Sequence, residues 1–231
     1  MGRPLRLIDD GLVYHALNRG NNRQVVFFEP ADFRRFLDAI RQTKQRYPFR
    51  LYAYCLMNNH FHLVVEPGSG QSISRIVQSL TVAHTWHYHK RMGTSGHVWQ
   101  GRFKSPVVAA DDHLLTLMRY VESNPLRANL VKDLADYPWS SYGVHGLGQV
   151  SDLVDEAPVW PLLGKTEGAR QSYWREWLHS PFTDKELAQV RQCVSSGRPY
   201  GPASWMEKIR RQLGLNLEPR PRGRPRKKKM N

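Results

Sequence analysis

At 231 residues the chain can fold as one sizeable domain with a small appendage. Its net charge of +14 suits a polyanionic partner, either a nucleic acid or an acidic membrane surface. No run of about 18 apolar residues occurs, so no transmembrane span is expected. The start Met1-Gly2-Arg3-Pro4-Leu5-Arg6 lacks the apolar stretch of a secretory signal, and Cys55 and Cys193 form no CxxC pair. A reducing cytoplasm is the expected compartment, with neither a zinc finger nor a disulfide framework.

In chain order, Val13–Asn18 alternates as a strand does, and Val25–Phe28 reads as a second, short one. Glu29-Pro30-Ala31-Asp32 has the form of a helix start, with proline in the first turn, and Phe33, Phe36, Leu37, Ile40 and Tyr47 then follow a helical stripe. Phe49–Met57 and His60–Glu66 are strand-like runs joined by Asn58-Asn59, a pair whose tolerance of positive φ suits a tight hairpin. Ile73, Ile76, Val77, Leu80, Ala83 and His84 form a second stripe, which stops near Gly93 as a C-terminal cap. Ser105–Ala110 reads as another strand. Asp111-Asp112 caps a third helix, whose core face carries Leu114, Leu117, Met118 and Val121 and which Pro125 should end.

This order predicts an α+β fold, an antiparallel sheet with helices on one face, in the ferredoxin-like or split βαβ group. After residue 148 strand patterns disappear, and short helices are predicted near 166–179, 183–194 and 202–213. The expected division is 1–148, a helical region over 149–217, and a low-complexity basic tail over 218–231.

The stretch richest in chemistry is Asn58-Asn59-His60-Phe61-His62-Leu63-Val64-Val65. Side chains at i and i+2 of a strand share a face, with Cα atoms about 7 Å apart. Two imidazoles at that spacing can reach one divalent cation, and such a cation can polarise a phosphate oxygen. HxH alone is a weak pattern, however, and two ordinary strand histidines, solvated or hydrogen-bonded, are the other reading. Tyr120 and Asn124 lie at i and i+4 on one predicted helix face. A Tyr hydroxyl can attack phosphorus, and an Asn oxygen suits Mg²⁺ or Mn²⁺. A packing Tyr at the edge of an amphipathic stripe is the other reading.

Gly96–Ser105 interleaves aromatic and basic residues. Trp99 and Phe103 can stack on unpaired bases while Arg102 and Lys104 meet phosphates; a turn with snorkelling basic side chains is the alternative. His84, Trp86, His87 and His89 have no accompanying carboxylate or cysteine and read as edge-of-core residues rather than a second metal site. Seven positive charges, half the net +14, crowd Arg220–Lys229. There Arg222, Arg224 and Arg226 resemble an AT-hook core that enters an A·T minor groove, and a solvated basic tail with sequence-independent affinity also fits. The pairs Asp9-Asp10 and Asp111-Asp112 suit caps or turns, and no Gly-rich phosphate loop or Gly-x-Ser-x-Gly elbow is present.

Several of these motifs occur together in a known order. They are Arg3-Pro4-Leu5-Arg6, Tyr14-His15 with Asn18-Arg19-Gly20-Asn21, Tyr54–Leu63, Gly96–Ser105, Tyr120–Ala128, Trp139-Ser140-Ser141-Tyr142 and Gly197-Arg198-Pro199. In this the chain resembles the REP-associated tyrosine transposases, relatives of the single-tyrosine HUH transposases of the IS200-like superfamily. The resemblance covers most of the first 145 residues. It implies a ferredoxin-like catalytic domain with His60 and His62 as metal ligands, Tyr120 as nucleophile and Asn124 as a third polar ligand, with Mg²⁺ or Mn²⁺ as cofactor. The implied substrate is single-stranded DNA bearing a palindromic hairpin, cleaved to a 5′-phosphotyrosine and a free 3′-OH and then rejoined. On this reading Trp99, Gln100, Arg102, Lys104 and Arg127 contact DNA, the tail adds duplex contacts, and the protein is nucleoid-associated, monomeric or homodimeric, and independent of membranes. A non-catalytic hairpin-binding regulator is the competing reading. An HUH initiator or relaxase fits less well, because the Tyr120 helix shows no second nearby tyrosine.

Overall fold

A computed structural model of the chain describes residues 10–212 and residue 214. Four strands, β1 (Val13–Arg19), β2 (Phe49–Met57), β3 (His60–Pro67) and β4 (Val107–Val108), form one sheet in the order β2-β3-β1-β4. All neighbours are antiparallel, which is the ferredoxin-like arrangement predicted. β4 is shorter than Ser105–Ala110 suggests. Proline has no N–H to give a ladder, and Pro106 uses only its carbonyl, which accepts from His15 N at 2.9 Å.

α1 (Pro30–Arg46) starts where Glu29-Pro30 predicts, with Glu29 N and Phe28 N donating to Asp32 Oδ2 at 3.2 and 2.8 Å. α2 (Ile73–Met92) ends at Gly93, whose φ of 62° is the left-handed cap conformation that glycine adopts without strain. Phe33, Phe36, Ile40, Ile73, Ile76, Val77 and Leu80 from these helices pack on Tyr14, Ala16, Leu56, Phe61, Leu63 and Val65. The predicted helical layer is therefore present on this face.

The opposite face is covered too. α3 (Asp112–Glu122) lays Leu114, Leu117, Met118 and Val121 against Val13, Ala53, Cys55, Met57 and Val64. The same core receives Ala157, Val159, Trp160, Trp174, Leu178, Val190 and Cys193 from beyond residue 148. These come largely from the segments leading into and forming α6 (Glu167–His179) and α7 (Asp184–Ser196). Between them and α3 lie α4 (Asn124–Arg127) and α5 (Tyr142–His145), and α8 (Ala203–Gln212) closes the described chain. The three C-terminal helices fall close to their predicted positions. α6 and α7 pack against α3.

Two local expectations are corrected. Val25–Phe28 forms no strand, and the Asn58-Asn59 hairpin does not use positive φ; among the described non-glycine residues only Asn22, Arg23 and Asn129 do. The two facts are linked. Val26 N and Phe27 N donate to the Asn58 carbonyl at 2.8 and 2.9 Å, and Gly20 N donates to the Asn59 carbonyl at 2.8 Å. Tertiary hydrogen bonds from the 20–27 loop hold the turn, so left-handed backbone is not required. The approach needs Gly20, because a Cβ there would lie 2.3 Å from the Gln24 carbonyl oxygen.

Candidate active site

The register of the central strands builds the site. β1 pairs with β3 so that Leu17 faces His62 and Arg19 faces His60, which puts His15, His60 and His62 on the sheet face that α3 covers. The His60 and His62 ring centroids are 5.0 Å apart and nearly perpendicular, at 86°. α3 brings the Tyr120 ring edge-on to His62 at 6.2 Å and to His15 at 6.4 Å. The strand pair and the Tyr, 58 or more residues apart in sequence, thus meet in space.

Each imidazole of the pair has one nitrogen engaged. His60 Nδ1 bonds Asn59 Oδ1 at 2.6 Å, and His62 Nδ1 bonds His15 Nε2 at 2.8 Å. Burial pushes His60 down to about 4, with Arg19 and Arg127 adding repulsion, and it holds His62 well below the ordinary histidine value. Both rings are neutral at pH 7, the form a metal requires. Among the described residues no third His, Cys, Asp or Glu completes a metal-holding cluster, so further ligands would come from amide oxygens, water or substrate phosphate.

Beside the pair opens a cavity of about 550 Å³, lined by Asn18, Arg19, Asn59, Gln100, Arg102 and Lys104 as well as the two histidines. Of the residues expected at DNA, Gln100, Arg102 and Lys104 line this cavity. Gln100 Oε1 accepts from Arg19 Nε and Nη2 at 3.3 and 3.1 Å, and Lys104 Nζ donates to the Val194 carbonyl at the end of α7 at 3.0 Å. Trp99 lies elsewhere. Its indole Nε1 donates to Thr81 O and Thr85 Oγ1 on α2, and its ring packs on Phe61 and His84. Arg222, Arg224 and Arg226 fall outside the described residues.

Asn124 does not continue the Tyr120 helix. α3 ends at Glu122 with Ser123 as cap, and Asn124 opens α4. Its Nδ2 donates to Tyr120 O and Val121 O at 2.9 and 3.0 Å, while its Oδ1 accepts from Arg127 at 3.1 Å. Its amide therefore caps α3, and a role as ligand would have to share that oxygen. Arg127 stacks on Tyr120, and its buried Nε has no partner among the described residues. His84 and His87 are satisfied edge-of-core residues, His84 bonding Val26 O and His87 bonding Asp32, both at 2.8 Å.

Local sequence gives Asn59 a turn position and His15 and Arg19 only a place in the familial motifs. Asn59 was visible as the neighbour of His60. The pairing of β1 with β3 is what brings His15 to His62.

On a ferredoxin-like sheet, a tyrosine faces a histidine pair, one ring buried and one half-buried, and that pair lines a basic cavity. Residues 10–124 match the family described as Transposase IS200 like. A Haemophilus influenzae protein provisionally described as a REP-associated tyrosine transposase is 25% identical over 117 residues, which cover 46% of this chain and 66% of that relative, just short of two thirds. The solved structure of a REP-associated tyrosine transposase bound to a REP hairpin overlays with a TM-score of 0.55 at 19% identity, covering 67% of this chain and 94% of that one. The overlay supports the shared fold. No helix among the described residues is long and apolar enough to cross a membrane.

Proposed function

We propose that this protein is a metal-dependent transposase that cleaves and rejoins single-stranded DNA beside palindromic hairpins, with Tyr120 as its nucleophile. The observation that carries this reading is the placement of the Tyr120 ring 6.2 Å from His62, which itself lines a cavity with Arg19, Arg102 and Lys104. The hairpin substrate is inferred from the family match over residues 10–124 and from the hairpin bound by the solved relative.

In the reaction the Tyr120 oxygen attacks phosphorus and its proton passes to solvent. A Tyr–O–P bond forms, the bond from phosphorus to the 3′ oxygen breaks, and that oxygen takes up a proton as the free 3′-OH. Rejoining is the reverse, with a 3′-OH attacking the phosphotyrosine. His60 and His62 are the residues that would hold a divalent cation, which would supply Lewis-acid polarisation of the phosphate. The neutral rings with engaged Nδ1 atoms fit such an ion; two imidazoles favour Mn²⁺, and oxygen donors from Asn124 or substrate favour Mg²⁺. Arg19, Arg102 and Lys104 draw the phosphodiester into the cavity and Arg127 holds the Tyr120 ring. The tail residues Arg222, Arg224 and Arg226 add affinity for duplex DNA.

The test is an SDS-stable adduct assay on labelled single-stranded hairpin DNA, with Mn²⁺ or Mg²⁺ and with chelator. A metal-dependent adduct that disappears in Tyr120→Phe is expected. Tight hairpin binding with no adduct under any condition would instead support a non-catalytic DNA-binding protein, a reading favoured by the slight exposure of Tyr120, 7%.

A further inference from the structure

We propose that His15 is a positioning residue for His62, accepting the His62 Nδ1 proton so that Nε2 is left to ligate the cation; this rests on the metal-binding reading above. The two residues come from different strands. β1 and β3 pair so that His15 sits diagonally across from His62 on one face, with Nε2 to Nδ1 at 2.8 Å and the rings stacked at 25°. His15 is fully buried, with 0% exposure. Both rings are buried and one hydrogen bond joins the two nitrogens, so a single proton lies between them.

Which ring owns that proton decides whether His62 can be a ligand. If His62 donates through Nδ1, its Nε2 carries a lone pair. If His15 donates, the His62 proton sits on Nε2 and blocks ligation. The comparison with His60 is instructive. There the neighbour is the Asn59 oxygen, an obligatory acceptor, and His60 must donate. His15 is the equivalent partner for His62, but as an imidazole it accepts only by placing its own proton on Nδ1. That Nδ1 is buried and has no hydrogen-bond partner among the described residues. A buried unpaired donor is costly, and nothing in the core packing of β1 requires an imidazole in place of an apolar residue. Its presence at this position is accounted for by the bond to His62. An outer partner of this kind orients the ring and selects the tautomer of a metal-ligating histidine.

The experiment measures Mn²⁺ binding to the full chain by calorimetry for the wild type, His15→Phe and His15→Gln, with thermal melts to confirm folding. Phe fills the space without an acceptor; Gln presents an oxygen near the position of Nε2. His15→Phe is expected to weaken Mn²⁺ by about 10- to 100-fold, and His15→Gln to recover most of that loss. With Mg²⁺ bound, ¹⁵N shifts of the wild type should show His62 protonated at Nδ1. Wild-type affinity in a folded His15→Phe variant would overturn the proposal while leaving the metal site standing. So would a His62 protonated at Nε2 with the ion bound, or a folded His15→Gln variant as weak as His15→Phe. Absence of Mn²⁺ and Mg²⁺ binding in the wild type would remove the metal reading itself, and this proposal with it.

Discussion

The Arg127 guanidinium lies over the Tyr120 ring, 3.9 Å from its centroid, and the same side chain donates to the Tyr120 carbonyl at 2.8 Å. One residue thus holds both the ring of the proposed nucleophile and the end of the helix that carries it. A cation over a desolvated ring contributes about 2 kcal/mol, and a hydrogen bond from a charged group about 1.5–3 kcal/mol. Arg127→Ala should slow adduct formation by at least about tenfold while single-stranded hairpin affinity falls far less. Arg127→Lys should recover little, because an ammonium does not reproduce the planar fork. Adduct rates and filter-binding affinities measured side by side check this, and equal losses in both would contradict it.

Glu122, the last residue of α3, is fully buried and ties the C-terminal region to that helix. It accepts from Ser141 Oγ, from His145 Nδ1 at 2.6 Å and from Trp174 Nε1 at 2.8 Å. Removing one partner of a buried charged network costs about 3–5 kcal/mol. For a chain of this size that is a fall in Tm of roughly 6–20 °C. Glu122→Ala should show it by calorimetry, with a milder loss for Glu122→Gln; an unchanged Tm would refute the assignment.

Stability should fall in mild acid. His15, His60 and His84 are lowered by burial to about 3, 4 and 4. The unfolded chain, with ordinary histidines near 6.5, therefore binds protons first as pH drops. These residues contribute fully above about pH 6.5, and the contribution is lost progressively as pH falls through the folded values near 4 and 3. Melting curves from pH 7.5 to 4 should show a continuous decline in Tm. A flat profile would mean that the three rings are not buried as neutral groups.

Arg102 and Trp99 should separate cleanly. Arg102 lines the cavity, so Arg102→Ala should weaken single-stranded DNA binding and reduce the magnitude of its salt slope by about 0.7. Trp99 is anchored to α2 by two hydrogen bonds, so Trp99→Phe should lower Tm and leave the hairpin affinity unchanged. A selective loss of affinity in Trp99→Phe would restore it to the DNA-contacting surface.

Much of this architecture is written in local periodicity. The alternation in β1, β2 and β3, the stripes of α1, α2 and α3, Pro30 at a helix start and Gly93 at a helix end are short-range signals. A residue's nearest neighbours in sequence largely decide them, and the structure places these elements where the patterns put them. His60 and His62 were legible for the same reason, as two side chains two residues apart on one strand.

What lies between elements was not legible. The hairpin at Asn58-Asn59 takes its form from Val26 and Phe27, more than thirty positions earlier. Asn124 looked like a continuation of the Tyr120 face until the helix ended at Glu122 and turned its amide into a cap. Trp99, one residue from Gln100, points into a different core. His15 is an unremarkable strand histidine until β1 pairs with β3 and sets it 2.8 Å from His62. Strand order and helix docking decide these relationships because hydrogen bonding and burial act between groups close in space. Local periodicity carries no information about which distant groups those will be.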